Sequence, residues 1–106
     1  RIRKIALKDF RGFSRLELDG FSQKVNVLIG KNAQGKTNFI ESINYLSCGK
    51  SFRGASGAQM VREGCEICGI RAEYSKKSHN GKIEVILQKD GRRSIKVNGL
   101  PAKRMA

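Results

Sequence analysis

The residues Gly30-Lys31-Asn32-Ala33-Gln34-Gly35-Lys36-Thr37 carry the plainest chemistry in this sequence. They fit the spacing G-x-x-x-x-G-K-[ST] without departure. A polyphosphate needs many hydrogen-bond donors in a small volume, and main-chain N–H groups supply them only where the chain wraps tightly. Gly30 and Gly35 permit backbone angles and a close approach that a side chain would block. A helix starting after Gly35 would aim its free N–H groups and its positive dipole end at the phosphates. Lys36 then serves as a point charge for the β and γ phosphates, and the Thr37 hydroxyl is placed to ligate Mg²⁺. The motif predicts a nucleotide-phosphate site.

Such a cradle works where a buried strand hands over to a helix, and both are legible. "VNVLIG", residues 25–30, is nearly all apolar, the pattern of a strand covered on both faces. From Gly35 the period changes. Phe39, Ile40, Ile43 and Leu46 predict one core-facing helical stripe that stops before Gly49. Upstream, Ile2, Ile5 and Leu7 predict an opening strand, interrupted near "KDFRGF". Leu16 and Leu18 then alternate with charges up to Asp19-Gly20, a favoured hairpin dipeptide. Downstream, "GKSFRGASG" predicts a loop, followed by a short helix around "AQMVRE". Alternation returns in "CGIRAEYS", in "KIEVILQ" (Ile83, Val85, Leu87 on one face) and in "RSIKVNG" (Ile95, Val97 on one face). "HNG" and "KDG" separate these runs with turn chemistry. The pattern predicts an antiparallel meander with one face towards a core.

The chain has 106 residues, enough for one domain or part of one. Its first residue is Arg1, and it stops at "LPAKRMA", just after a proline suited to opening a new element; it reads as a fragment. Hydrophobic residues at 39% and charged ones at 29% fit a globular chain. No apolar run is long enough for a transmembrane helix or a signal peptide. Lys and Arg number 22 against 9 Asp and Glu, a formal +13. That field attracts polyanions, nucleic acid ahead of acidic membrane or acidic protein. Candidate contacts are Lys76-Lys77, Arg92-Arg93 and Lys103-Arg104, exposed by pattern, with Lys50 and Arg53 in the glycine-rich loop. Cys48, Cys65 and Cys68 form no disulfide-framework spacing, which points to a reducing cytosol. The C-x-x-C of Cys65 and Cys68 leads into a strand, and zinc would need distant Cys48 and His79. Small buried hydrophobes at a strand start are the expectation.

Stretches around the phosphate motif are more specific than the motif itself. "IALKDFRGF", "NAQGKTN" followed by "ESI", "GKSFR", "MVREG" and "IKVNGLPAKR" together resemble the amino-terminal part of the RecF family. These are bacterial recombination-mediator ATPases related to SMC proteins and to ATP-binding-cassette heads. The resemblance implies an α/β fold, a P-loop NTPase of the ABC/SMC-head type. It implies a Walker A part at 1–50, a loop and short helix at 51–66 and a β-meander at 67–99, incomplete at the carboxyl end. ATP would be held by Gly30, Lys31, Asn32, Ala33, Gln34, Gly35, Lys36 and Thr37, with Thr37 on Mg²⁺. Arg11 of "DFRGF" matches an arginine that approaches the nucleotide in related SMC-type heads. The family implies an ATP-dependent homodimer, each phosphate loop facing its partner's signature. It further implies DNA (duplex, gapped or single-stranded), RecR and RecO as partners, recombinase loading at gaps, a place in DNA damage and the SOS response, and the cytoplasm.

The sequence also departs from a whole ATPase head. A Walker B run needs apolar residues leading straight into an acidic pair, yet "EVILQKD" places Gln88 and Lys89 there. "LSCG", residues 46–49, looks like the cassette signature but ends the phosphate-loop helix and lacks the second glycine. The chain is therefore expected to bind ATP without turning it over. The alternatives are another P-loop NTPase (a nucleotide kinase or GTPase) and a basic DNA-binding module with a non-hydrolytic P-loop. The absence of N-K-x-D and the antiparallel meander argue against the first, and intact Lys36 and Thr37 against the second.

Overall fold

The computed structural model describes residues 2–19, 33–51 and 53–103. The strand expected at 25–30 and Gly30, Lys31 and Asn32 lie outside the described residues, as do Gly20, Phe52 and Arg104. Along the chain run β1 (Ile2–Phe10), β2 (Phe13–Asp19), α1 (Ala33–Cys48), α2 (Gly57–Met60), β3 (Ile67–Lys76), β4 (His79–Gln88), β5 (Arg93–Val97) and β6 (Leu100–Ala102). The strands form one sheet in the order β2-β1-β3-β4-β5-β6, every neighbouring pair antiparallel. The meander is thus continuous with the opening hairpin through β1 and β3, where Ile5 faces Ala72 and Leu7 faces Ile70.

Period-two alternation decides which sheet face is dry. Ile5, Leu7, Leu18, Cys68, Ile70, Ala72, Val85, Leu87 and Ile95 all point inward and are buried. Phe39, Tyr45 and Leu46 of α1 and Met60 of α2 complete that core. Each large apolar side chain so buried contributes about 1.5–3 kcal/mol. The outer face carries Lys8, Arg71, Glu73 and Lys96, all exposed.

The turns fall where packing allows rather than where turn dipeptides are densest. The first hairpin closes at Arg11-Gly12, because Phe10 pairs with Phe13. The turn expected at Asp19-Gly20 would follow β2, whose last residue Asp19 lies opposite Lys4; Gly20 lies outside the described residues. Arg11 takes a positive φ of 53°, costing on the order of 1 kcal/mol for a residue with a Cβ. Its N–H donates to the Met60 carbonyl at 2.8 Å, and the Arg62 N–H to the Asp9 carbonyl at 2.8 Å. These bonds and the Phe10–Val61 bridge clamp the hairpin tip onto the end of α2.

The β3–β4 turn is Lys77-Ser78, and His79, Asn80 and Gly81 lie inside β4, not in the turn expected at "HNG". Gly81 is needed for a different reason: it pairs with Tyr74, whose ring occupies the space a Cβ would fill. The "KDG" turn lies where expected, between β4 and β5. Asn98-Gly99, with φ of 53° and 81°, turns β5 back into β6, a short edge strand that tolerates Pro101.

In α2, Ser56 caps the N-terminus and Gln59 returns the bond, a complete capping box. The helix stops at Met60, short of the expected "VRE", because extended Val61 bridges to Phe10. On α1 the expected stripe is only partly right. Phe39 and Leu46 are buried and Ile43 half-buried, but Ile40 is 56% exposed. Asn38, Glu41, Ser42 and Tyr45 take the inward positions instead. Cys68 is buried in the core, which pushes its thiol up to about 12. Cys65 is half-buried and Cys48 exposed. Among the described residues no group of three or more His, Cys, Asp or Glu is placed to hold a metal.

Candidate nucleotide-phosphate site

The second half of the phosphate motif forms the start of α1. The helix begins at Ala33, before the expected Gly35, so Gln34, Gly35, Lys36 and Thr37 all lie in its first turns. A helix of 16 residues has a full dipole, and its first turn contains no acidic residue to compete with an anion. Lys36 is half-buried at the same end. This donor set fits a bound phosphate chain.

One turn further along, the inward face of α1 becomes polar around Glu41, which is 0% exposed. Arg11 reaches it from the hairpin tip as a two-pronged fork, Nε to Oε1 at 2.8 Å and Nη2 to Oε2 at 2.9 Å. The Ser51 hydroxyl donates to Oε2 at 2.5 Å. Arg53 Nη1 donates to the Asn38 amide oxygen at 2.9 Å and, more weakly, to Glu41 Oε1 at 3.4 Å. Gln34 Nε2 also donates to Asn38 Oδ1, at 3.1 Å. Burial alone would push the Glu41 carboxyl up. The hydrogen bonds from Arg11 and Ser51 and the charges of Arg11 and Arg53 outweigh burial and hold it below the usual carboxylate range. A cavity of about 560 Å³ opens beside this cluster, bounded in part by Arg11, Gly12, Gln34, Asn38, Arg62 and Lys89.

The structure therefore brings together Arg11, Gln34 and Arg53 around Glu41 and Asn38. Lys50 is exposed in the loop after α1, and Lys76 and Lys77 are exposed at the β3–β4 turn. Arg92 is exposed and paired with Asp90 at 2.8 Å; hydrogen bonds from Arg92 hold the Asp90 carboxyl below its ordinary value. Arg93 turns back to α1. Its Nη1 donates to the Tyr45 hydroxyl at 2.9 Å and to the Gly49 carbonyl at 2.8 Å, and its guanidinium lies 5.9 Å from the Tyr45 ring centre. It thus stabilises the carbonyl end of the helix, about 24 Å from the phosphate end at 1.5 Å per residue. Glu41, Asn38 and Ser51 were not among the sequence candidates. Their signal is a carboxylate on the helix face that packs, within "ESI".

The profile of the AAA domain family matches residues 4–104. The chain belongs to the AAA domain family. Within it the similarity is to the DNA replication and repair protein RecF. The chain is 41% identical to RecF of Clostridioides difficile over 105 residues, covering 99% of this chain and 28% of that protein. It is 38% identical to RecF of Clostridium acetobutylicum, covering 99% of this chain and 29% of that protein. It superposes on the recombination mediator protein RecF-ATPrS of the RecFOR pathway with a TM-score of 0.82 at 29% identity, covering 99% of this chain and 28% of that one. With RecF-ATP the TM-score is 0.79 at 30% identity, covering 99% and 29%. An SMC head domain from Thermotoga maritima shares the fold, with a TM-score of 0.69 at 19% identity, covering 97% and 39%. The RecF resemblance and the ABC/SMC-head fold expected from the sequence both hold. The chain spans 28% and 29% of the length of these RecF proteins. Among the described residues no helix is long and apolar enough to cross a membrane.

Proposed function

We propose that this chain is the ATP-binding part of a RecF-like protein of DNA recombination, repair and replication. The observation that carries the reading is the start of α1: Lys36 and Thr37 follow Gly35 in the first turns of a helix with no acid there. Support comes from similarity to structures described as RecF-ATP and RecF-ATPrS. Gly30 through Thr37 would hold ATP, Thr37 would face Mg²⁺, and Arg11 would contribute from the hairpin tip. Bound nucleotide supplies dense negative charge and contacts that only a closed homodimer can make. The +13 charge supports DNA as a partner, held through its phosphates. Lys50, Lys76, Lys77 and Arg92 are the proposed DNA side; Arg53 and Arg93, expected beside them, are held against α1. RecR, RecO, the SOS response and the cytoplasm follow from the RecF resemblance. The division into a Walker A part (1–50), a loop with short helix (51–66) and a meander (67–99) belongs to the same proposal. Walker B is lacking in this sequence, so binding rather than turnover is assigned to it.

Titration with fluorescent ATP and GTP, with and without Mg²⁺, tests the nucleotide half. Mg²⁺-dependent binding that favours ATP is expected, and a preference for GTP would return the GTPase reading. For DNA, log affinity against log salt should fall by roughly 0.9 per phosphate neutralised, and a flat line would remove DNA from the proposal.

A further inference from the structure

Glu41 occupies an unusual place for a carboxylate. It is fully buried on the phosphate-loop helix, four residues after Thr37 and so on the same helix face. The two-pronged fork from Arg11, the Ser51 hydroxyl and Arg53 fill both of its oxygens. These partners come from two segments far apart in sequence, the β1–β2 tip and the loop after α1. Each arginine remains about a quarter exposed, at 22% and 24%. Two cations share one carboxylate, a net charge of +1 within the cluster, and Arg11 also borders the cavity, whose other charged walls are Arg62, Glu63 and Lys89. A carboxylate meant only to neutralise charge would need one arginine and no such geometry. Here the fork fixes the plane of the Arg11 guanidinium, while Asn38 and Glu41 fix that of Arg53.

We propose that Glu41 is a positioning residue for nucleotide phosphates, holding Arg11 and the Arg53 loop at the start of α1 with one unneutralised positive charge. The proposal rests on the reading of that helix end as the phosphate site. It assigns Glu41 a role through its two arginines, without contact to nucleotide. The aimed guanidinium groups act on the phosphate chain, so losing their aim costs more with each added phosphate, although Glu41→Gln leaves the arginines with two unneutralised charges rather than one. A carboxylate that only stabilised the fold would affect ATP, ADP and AMP alike.

The test measures ATP, ADP and AMP affinity of the purified protein, of Glu41→Gln and of Glu41→Asp, with thermal unfolding of each. Glu41→Gln should lose about tenfold in ATP affinity, the equivalent of one charge-assisted hydrogen bond, while AMP affinity stays nearly constant. Glu41→Asp should recover part of the loss, since it keeps the charge on a shorter stem. Should Glu41→Gln be unfolded at the assay temperature, Ser51→Ala takes its place and should show the same pattern at about two- to threefold. Unchanged or tighter ATP binding, or an equal loss for all three nucleotides, overturns the proposal. Lys36→Ala separates the two levels. If it leaves ATP affinity intact, the phosphate-site reading fails and this proposal with it; if it abolishes binding while the Glu41 and Ser51 variants bind as the parent does, only the positioning role fails.

Discussion

Replacing Arg11 by alanine removes the stronger half of the cluster that ties the opening hairpin to the phosphate-loop helix. Two charge-assisted bonds at 2.8 and 2.9 Å are lost, and Glu41 stays buried with Ser51 and an Arg53 nitrogen at 3.4 Å. Breaking a buried ion pair from one side costs about 3–5 kcal/mol when the remaining charge has no other partner. Arg11 is 22% exposed, and Arg53 is close enough to move in, so about 2–3 kcal/mol is expected at pH 7. For a chain of this size that lowers the melting temperature by roughly 10 °C or more. The deficit depends on pH in a definite direction. The Glu41 carboxyl is held below its ordinary value of 4.5 in the fold, so its stabilisation is fully present above that unfolded value. It is lost as pH falls through the folded value. The gap between parent and Arg11→Ala is therefore widest at neutral pH and closes on acidification below about pH 4. Urea unfolding followed by circular dichroism at pH 7 and at a series of acid pH values measures it. Arg11→Lys should fall between the two, keeping the charge without the fork. Equal stability of Arg11→Ala and parent at pH 7, or a gap that does not narrow with acid, would refute this account of the cluster.

Arg93→Ala should cost about 1–2 kcal/mol, because the Tyr45 hydroxyl and the Gly49 carbonyl lose their donor, whereas Arg92→Ala, at an exposed pair with Asp90, should leave the melting temperature unchanged. Replacing both should reduce the DNA salt slope by about one rather than two, since Arg93 already faces α1; a reduction near two would show that Arg93 leaves the helix to meet phosphate. Gly81→Ala should destabilise by about 1–3 kcal/mol by displacing the Tyr74 ring, and Gly81→Ala with Tyr74→Ala should relieve the overlap, both read from thermal unfolding. Additive losses in that pair would mean that the ring is not the obstacle.

What could be read from the sequence was whatever periodicity encodes. The meander, its inward residues Ile83, Val85, Leu87 and Ile95, and the helix after the glycines all follow from a period of two changing to 3.6. Turn positions were less legible because turn dipeptides also serve packing. The Gly81 of "HNG" makes room for Tyr74, and the actual turn falls at Lys77-Ser78, which carries no strong turn signal. The apolar stripe on α1 misplaced Ile40 because counting only hydrophobic residues cannot credit a buried carboxylate. Glu41 belongs on the inward face only because Arg11 and Arg53, 30 positions earlier and 12 later, come to meet it. The same limit applies to Arg93, which looked like a free surface charge and instead holds the end of α1 across 44 positions. Long-range pairing of polar groups leaves no period in a single sequence.

The central claim is that the start of α1 binds nucleotide phosphate through Lys36, the one full positive charge the motif directs to it. Calorimetric titration of ATP with Mg²⁺ into the parent and Lys36→Ala tests it most directly. Loss of a charge-assisted contact of about 1.5–3 kcal/mol should weaken binding by roughly 10- to 150-fold, with circular dichroism and melting unchanged. ATP binding as tight in Lys36→Ala as in the parent, with the fold intact, would contradict the claim.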